Sequence, residues 1–412
     1  MPRLLLALAC CASTATALQW AGTRRSSPRA SRPLGSAAAA LAPPALQLQP
    51  GSAPLAGHLF YGTCDLPSCD TLEFASLDLA TQAKTDLFDF PLDSFEDAYV
   101  ADDVLIGNEV TISLNWDKDP AWGYLAVFDL TTNKLVSGRN SSSCFALWEN
   151  PAEPATSLLC LNLVAAQPAC PPGTTSQCTK LLAIDRATGK ETLIASMMPN
   201  YAPFTVETLD VKNGLIYATF ELLDGGLPQL VTINARTGAV QHTASFQPTL
   251  AFIELEWSAK TGKVYAVVQD TDAAGKPVAY AGTVAPSTAT PTPLGPKAYF
   301  NVSYPPATGG FFNRAFLLSS SLPWLLATHS THTHTHTHTH AHSLTRAEFN
   351  TISTLSDELN VFFSTAFHYA VPSPPADPIL HLIGNDLTTG ELVYDAVVAN
   401  PFCEILWLPG AR

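Results

Sequence analysis

The sequence predicts an all-β protein, a six-bladed β-propeller, and the first observation is a repeated turn of the form Asp/Asn-x-x-Thr. Copies of this turn follow one another at steps of 51, 56 and 49 residues. Each copy joins two β-rich runs, and a second hairpin lies between successive copies. Repeats of about 50 residues with four short strands are typical of propeller blades. The turns begin at Asp78, Asp129, Asp185, Asn234 and Asp386.

Residues 1–56 precede the first repeat and have the composition of targeting sequence. A short positive start is followed by an apolar run, Leu4–Ala12, that is too short to span a bilayer. Ala15-Thr16-Ala17 fits a small-residue cleavage site, which predicts a signal peptide at 1–17 and a secreted protein. Residues 18–56 contain Arg, Ser, Ala and Pro but no acid, so they are either a low-complexity linker or a transit-like segment that directs the protein to a plastid.

The segment Leu181–Ala195 shows why these residues form the two outer strands of a blade. An apolar run leads into Asp185, the next residues turn the chain, and a second β-rich run follows. The Asp185 side chain can accept hydrogen bonds from its own turn, and Gly189 can adopt a positive φ without steric cost. We therefore predict that Asp185 forms a turn and is not a catalytic acid. Similar hairpins are predicted at Phe74–Phe88, Leu125–Gly138, Leu230–Ala244, Leu382–Ala396 and, in degenerate form, Ala279–Thr292.

The two inner strands of each blade are predicted from a second set of hairpins. Glu207–Phe220 is a clear example, because Asn213-Gly214 provides a tight turn between two β-rich runs. Similar hairpins are predicted at Ala146–Leu161, Glu254–Val268 and Thr354–Phe367. The innermost strands carry Trp148, Trp257 and Trp407 at similar positions, and we expect these rings to pack between blades.

The two ends of the repeat region each supply half of a hairpin. Cys403–Arg412 resembles an innermost strand without a partner, and Gly57–Cys64 resembles the strand that would follow it. Joined together, they match the pattern of Glu254–Val268. We therefore predict a propeller over residues 57–412 in which the C-terminal strand completes the first blade. This closure removes open sheet edges and brings the blade count to six.

One segment, at about 304–350, interrupts the repeats and is predicted to be a disordered insertion. It contains Thr331–His340, which is five consecutive Thr-His pairs, and seven of the eleven histidines lie between His329 and His342. A CA dinucleotide repeat encodes alternating Thr and His, so microsatellite DNA or a retained intron explains the tract. The alternative is a weak site for Zn²⁺, Ni²⁺ or Cu²⁺, because alternate residues of an extended strand share one face.

The cysteines predict three local disulfides in an exported protein. Two cysteines leave with the signal peptide and seven remain. A zinc site is disfavoured, because the closely spaced pairs lack a C-x₂-C spacing and a nearby His. The predicted disulfides are Cys64–Cys69, Cys144–Cys160 and Cys170–Cys178, which leave Cys403 without an assigned role. Sequons at Asn140 and Asn301 predict glycosylation if the protein follows the secretory route.

The charge distribution excludes two classes of partner. Residues 1–64 hold five arginines and no acid, so the remaining 348 residues carry 35 acids and 16 bases, a net charge of −19. Nucleic acids and anionic membranes bind basic patches, so an acidic body argues against both. No apolar run is long enough for a transmembrane span. We expect a monomer that binds a protein, a glycan or a small ligand.

The turns IDRATG, LDLATQ, FDLTTN, INARTG and NDLTTG resemble those of YVTN-type and quinoprotein-like β-propellers, over roughly residues 57–412. The resemblance implies the propeller fold. Quinoprotein blades carry a Trp after this turn, whereas the corresponding positions here hold residues such as Leu193 and Val393. A quinone cofactor is therefore not implied, and the fold by itself does not specify a function.

One group of candidate site residues comes from the innermost strands. Glu207, Glu254 and Glu404 align at the start of these strands, where they could converge near one mouth of the central channel. Crowded carboxylates must bind a cation or take up protons, and oxygen ligands favour Ca²⁺ or Mg²⁺. Glu256 and Asp210 lie nearby in sequence and could add ligands. The alternative is that these are solvated charges around a wide tunnel. The isolated histidines, expected to be ordinary strand residues, are His58, His242, His368 and His381.

These observations favour an exported, non-catalytic binding propeller. Its ligand is expected at the channel mouth or on the loops that carry Cys64–Cys69 and Cys170–Cys178, because loops on a rigid scaffold usually carry binding sites. The alternative is a divalent-metal-dependent hydrolase or lactonase with the three glutamates as ligands. The sequence contains no nucleophile elbow, HExxH motif, phosphate loop or EF-hand pattern.

Overall fold

The structure is a computed structural model, and it describes residues 55–64, 71–91, 98–116, 122–222, 227–247, 250–271, 277–295, 299–300, 353–368, 379–398 and 402–408. These residues form β-strands and turns and contain no helix. The predicted signal peptide, most of the linker, the Thr-His insertion and Asn301 lie outside the described residues.

Six antiparallel sheets confirm the predicted six-bladed propeller. Blade 1 contains β1 (His58–Cys64), β2 (Thr71–Asp78), β3 (Lys84–Pro91) and, as its innermost strand, β25 (Phe402–Leu408). Blade 2 contains β4 (Ala98–Ile106), β5 (Glu109–Trp116), β6 (Trp122–Asp129) and β7 (Lys134–Ser142). Blade 3 contains β8 (Ala146–Glu149), β9 (Ser157–Ala165), β10 (Gln177–Asp185) and β11 (Glu191–Met197).

In the other three blades, as in blades 2 and 3, the strands follow one another in sequence from the innermost to the outermost. Blade 4 contains β12 (Tyr201–Asp210), β13 (Leu215–Leu222), β14 (Gln229–Asn234) and β15 (Val240–Ser245). Blade 5 contains β16 (Ala251–Ser258), β17 (Lys263–Thr271), β18 (Pro277–Ala285) and β19 (Thr290–Pro293), and the short β20 (Tyr299–Phe300) also pairs with β18. Blade 6 contains β21 (Ser353–Ser356), β22 (Val361–His368), β23 (Ile379–Asp386) and β24 (Leu392–Val398).

The innermost strands form a closed ring. They contact one another in the order β25, β4, β8, β12, β16 and β21, and β21 contacts β25 again. Within blade 1, β25 pairs with β1, so that Leu408 lies opposite His58. Between blades 6 and 1, the Trp407 N–H donates to Thr354 Oγ1 at 3.0 Å. The prediction that the C-terminal strand completes the first blade is therefore confirmed.

The repeated Asp/Asn-x-x-Thr segments form the turn between the third and fourth strands, here called the outer turn. Asp185 Oδ1 accepts hydrogen bonds from the Thr188 N–H at 2.7 Å and from Thr188 Oγ1 at 2.6 Å. Gly189 has a φ of 70°, and a Cβ atom there would lie 2.5 Å from Arg139 Cδ of the preceding blade. The predicted turn-forming role of Asp185 is confirmed, and its turn also packs against blade 2.

The hydrophobic core lies between the blades. Trp407 of blade 1 stacks on Phe363 of blade 6, with ring centroids 6.2 Å apart. Trp148 and Trp257 are partly buried against the core clusters of blades 3–4 and 4–5. All three tryptophans therefore pack between blades, as the sequence predicts.

Two of the three predicted disulfides are present. Cys144–Cys160 and Cys170–Cys178 are both bonded, with Cα atoms 5.4 and 5.8 Å apart. Cys69 and the side chains of Cys64 and Cys403 lie outside the described residues, so the third disulfide stays a prediction. A search of the described residues finds no helix able to cross a membrane.

Candidate functional site

The candidate site is built from acidic residues that lie within four innermost strands. In each case the strand pairing shifts register just before the acid, so a β-bulge immediately precedes Asp102, Glu207, Glu254 and Glu404. A bulge inserts at least one extra residue into a strand and so changes the direction of the side chain that follows. Bulges are common beside functional sites. Four blades therefore use the same local device at the same end of the channel strand.

The register defines the level of each acid along the channel. Glu254 pairs with Val267 and Glu404 with Gly62, which are equivalent positions in blades 5 and 1. Glu207 pairs with Ala218, one position nearer the turn that joins the two inner strands. The described side chains of Glu207 and Glu254 are half-buried. The side chain of Glu404 lies outside the described residues, so the proposed set of three ligands stays a prediction.

Glu256 has a strongly perturbed carboxyl group. Its pKa is raised to about 8, first by burial and then by the negative charges of Asp102, Asp103 and Glu207, while a hydrogen bond with Ser353 lowers it. Blades 2 and 5 lie opposite each other in the ring of six, so Asp102 and Asp103 act on Glu256 across the axis. The group Asp102, Asp103, Glu207 and Glu256 is called the channel carboxylates below.

Asp102 also connects two blades. Its Oδ2 accepts a hydrogen bond from the Leu147 N–H of β8, and its Oδ1 accepts one from the Asp103 N–H at 2.9 Å. Sequence reasoning missed Asp102 and Asp103. A signal was present, since both acids lie within an innermost strand, as Glu207 and Glu254 do.

Asp210 does not join the channel carboxylates. Its Oδ1 accepts from the Asn213 N–H at 2.9 Å and its Oδ2 from Asn213 Nδ2 at 2.7 Å, so it holds the turn between β12 and β13. The expectation that Asp210 supplies a ligand is therefore not supported. Within the described ranges, no group of three or more His, Cys, Asp or Glu residues is arranged to hold a metal ion.

Three of the isolated histidines have structural partners. His381 Nδ1 lies 2.6 Å from Asp395 Oδ1, and both side chains are buried between the two outer strands of blade 6. His242 Nε2 lies 2.5 Å from the Ser287 carbonyl of blade 5. His58 lies 3.8 Å from Asp78, and the His368 side chain lies outside the described residues. The buried His381–Asp395 pair was not expected from the sequence, which gave no sign that the two residues face each other.

The loop between β9 and β10 is the second predicted binding region, and it is strongly braced. Cys170–Cys178 closes it covalently. Asn200 Oδ1 accepts from the Thr175 N–H at 2.7 Å, and Asn200 Nδ2 donates to the Gly173 carbonyl at 3.1 Å. This loop is therefore fixed to the strand connection that follows blade 3.

The predicted glycosylation site at Asn140 lies on the outermost strand of blade 2. Its side chain is exposed, as an acceptor must be. Ser142, the third residue of the sequon, donates through Oγ to Glu191 Oε2 at 2.7 Å. Use of this site stays a prediction.

No family model matches the chain, and no curated protein matches it. Among solved structures, it is similar to TolB from Acinetobacter baumannii, with 11% identity and a TM-score of 0.45 over 85% of this chain and 66% of that chain. A 6-phosphogluconolactonase-like protein from Bacteroides uniformis has 10% identity and a TM-score of 0.45 over 86% and 99% of the two chains. The Dos1 propeller has 10% identity and a TM-score of 0.35 over 83% and 69%. The chain thus spans just under two thirds of TolB, and the propeller assignment rests on the strand pairing.

Proposed function

We propose that this protein is an exported, non-catalytic binding propeller whose ligand carries positive charge and is held by the channel carboxylates. The observation that carries the proposal is the perturbed Glu256 carboxyl, whose pKa is raised to about 8 by burial and by acids of blades 2 and 4. Negative charges gathered in one place are costly unless a proton or a cation joins them. At neutral pH the proton on Glu256 supplies part of this compensation, and a bound cation would supply the rest.

Oxygen-only donors favour hard divalent cations, so Ca²⁺ and Mg²⁺ are the metal candidates. Glu254 and Glu404 follow the same bulge as Asp102 and would add ligands or outer charges. A lysine or arginine side chain of a partner protein offers the same charge. Both kinds of ligand would enter through the channel mouth at which these strands begin.

The proposal is tested by isothermal titration of the purified full chain with CaCl₂, MgCl₂ and a lysine-rich peptide. We expect at least one of them to bind, and we expect the combined Glu207→Gln and Glu256→Gln variant to bind about tenfold more weakly. Glu153→Gln is the matched control, because Glu153 is exposed in the turn between β8 and β9 and is not among the acids that act on Glu256. Absence of binding by all three ligands would disprove the proposal.

A metal-dependent hydrolase or lactonase is the second candidate, and one observation favours it. A carboxyl with a pKa of about 8 is protonated at neutral pH and can act as a general acid. Turnover of a lactone or ester that requires Ca²⁺ or Mg²⁺ and is lost in Glu256→Gln would replace the non-catalytic proposal with this one.

A further inference from the structure

The six innermost strands contain several acids but no Lys, Arg or His. Asp102, Asp103, Glu207, Glu254 and Glu256 lie on three of these strands, in blades 2, 4 and 5. The strands that surround the channel therefore supply negative charge and no positive charge. A ligand that balances several carboxylates from within the channel is best provided with more than one positive charge.

These acids are spread along the channel and do not share one level. Asp102 pairs with the fifth residue of β5, and Glu254 pairs with the fifth residue of β17. Glu256 pairs with the third residue of β17, while Asp103 and Glu207 lie between, opposite the fourth residues of β5 and β13. Two residues of a strand span roughly 7 Å. Asp102 and Glu254 thus define an upper level and Glu256 a lower one.

The Asp102 carboxylate is fixed at the upper level. Its Oδ1 accepts a hydrogen bond from the Asp103 N–H at 2.9 Å, and its Oδ2 accepts one from the Leu147 N–H of the next blade. A single metal ion gathers oxygen ligands at about 2.3–2.6 Å from one point, so one ion suits one level. Two positive charges joined by a spacer suit both levels.

A buried hydroxyl lies beside the acids of blade 5. Ser364 of blade 6 is fully buried, and its Oγ forms no hydrogen bond with any residue that the structure describes. Ser364 pairs with Ser353, whose hydroxyl bonds to Glu256, and residues that pair across two strands share a face. Ser364 is therefore directed towards the seam that contains Glu256. Buried polar groups are nearly always hydrogen-bonded, and a hydroxyl can accept from an ammonium group, so Ser364 fits a site that such a ligand completes.

We propose that the ligand is a linear aliphatic polyamine that lies along the channel, with one ammonium group at the level of Asp102 and Glu254 and another beside Glu256 and Ser364. This inference rests on the proposed function, because it names the cation that the channel carboxylates bind. An extended chain of four or five methylene groups separates two ammonium groups by roughly 7 Å, as the two levels require. A lysine side chain carries one charge and therefore serves one level only.

The test is isothermal titration of the full chain at pH 7 with spermidine, with butylamine and with CaCl₂. Butylamine has a similar methylene chain and a single charge. We expect spermidine to bind at least about tenfold more tightly than butylamine, because its second ammonium group binds within the same molecule. Glu256→Gln should abolish most of this preference, since it leaves only the upper level charged. Ser364→Ala should weaken spermidine binding at least about threefold.

Ser196→Ala is the matched control for Ser364→Ala. Ser196 lies on β11, the outermost strand of blade 3, and its Oγ is likewise buried without a hydrogen bond to the described residues. Ser196→Ala and Glu153→Gln should both bind spermidine as the wild type does.

Three results would overturn the polyamine proposal. These are spermidine binding no tighter than butylamine, CaCl₂ binding tighter than spermidine, and a loss of spermidine affinity in Ser196→Ala as large as that in Ser364→Ala. If CaCl₂ or the lysine-rich peptide still binds in such a case, the cation-binding propeller stands and only its ligand is wrong. Absence of binding by every one of these cations would remove both proposals.

Discussion

Asp102 and Glu256 lie on opposite sides of the ring of innermost strands, and after burial itself the charge of Asp102 is the largest influence raising the pKa of Glu256. Asp102 is fixed by hydrogen bonds from two backbone N–H groups, one of them in the next blade. These hydrogen bonds therefore hold the Asp102 carboxylate in one position. Our proposal is that Glu256 holds a proton until a cation replaces it.

The raised pKa of Glu256 predicts that stability decreases at alkaline pH. The folded protein holds this proton up to a pH of about 8, whereas the unfolded chain releases it near the ordinary value of 4.5. The stabilisation is therefore complete below about pH 4.5 and is lost as the pH rises through 8. Glu256→Gln keeps an uncharged side chain at every pH. At pH 9.5 we expect it to be more stable than the wild type by roughly 2–4 kcal/mol.

Urea unfolding of both proteins at pH 6 and pH 9.5 measures this difference. At pH 6 the difference should be less than half as large, because the unfolded wild type has already released the proton while the folded protein still holds it. The control variant Glu153→Gln should have the same free energy of unfolding as the wild type at both pH values. Equal pH dependence in wild type and Glu256→Gln would show that Glu256 ionises normally.

Ring closure predicts a specific role for Thr354. Its hydroxyl accepts the Trp407 N–H, and Thr208 accepts the Trp257 N–H at 2.9 Å in the same way between blades 4 and 5. Thr354→Ala should lower the free energy of unfolding by about 1–2 kcal/mol, because it leaves the partly buried backbone N–H of Trp407 without this acceptor. Thr208→Ala should cost a similar amount. Thr354→Ser keeps the hydroxyl and should recover most of the loss, and a Ser variant as unstable as the Ala variant would refute the hydrogen-bond explanation.

The two observed disulfides should differ in their contribution to stability. Cys144–Cys160 closes 16 residues and both of its cysteines are fully buried, whereas Cys170–Cys178 closes 8 residues on a loop. Replacing the first pair by alanines should cost about 3 kcal/mol from chain entropy and more from lost packing. Replacing the second should cost about 2.5 kcal/mol or less. Denaturant unfolding of the two double variants checks this order, which a larger loss for the loop disulfide would contradict.

The outer turn of blade 4 provides a natural comparison for the turn-forming role of Asp185. Asn234 takes the same position in blade 4, and its Oδ1 accepts from the Thr237 N–H at 3.0 Å. Asp185→Asn should therefore leave the Tm close to that of the wild type, while Asp185→Ala should lower it. The Asp185 pKa is lowered by hydrogen bonds from Thr188, so in acid the Tm of the wild type should fall relative to that of Asp185→Asn. Differential scanning calorimetry compares the three proteins, and equal Tm values for Ala and Asn would contradict the turn-forming role.

The fold was predictable because it repeats. One turn such as Asp185–Gly189 is a weak local signal, but its return at similar steps predicts both the blade and its four strands. The closure of blade 1 was predictable because two incomplete hairpin halves at 57–64 and 403–412 complement each other. Inter-blade contacts such as Arg139 with Ala187 could not be predicted, because no local pattern relates residues of different blades.

The site was predicted only in part. The alignment of the inner hairpins places Glu207 level with Glu254, while the structure places it one pair nearer the turn, because Glu207 lies three residues before Asp210 and Glu254 lies four before Ser258. This difference was present in the sequence, whereas the bulges that precede both acids leave little trace there. The sequence indicated Glu256 only as an added ligand. Its raised pKa could not be predicted, because it depends partly on the charges of Asp102 and Asp103 in the opposite blade.

Proton release on cation binding tests the central claim most directly. Titration of the full chain with CaCl₂ at pH 7, in two buffers of different ionisation enthalpy, measures the protons released for each ion bound. Since Glu256 is protonated at pH 7, we expect release of nearly one proton per ion, falling towards zero at pH 10 and absent in Glu256→Gln. Binding of Ca²⁺ without proton release at pH 7, or with a release that Glu256→Gln leaves unchanged, would contradict the account.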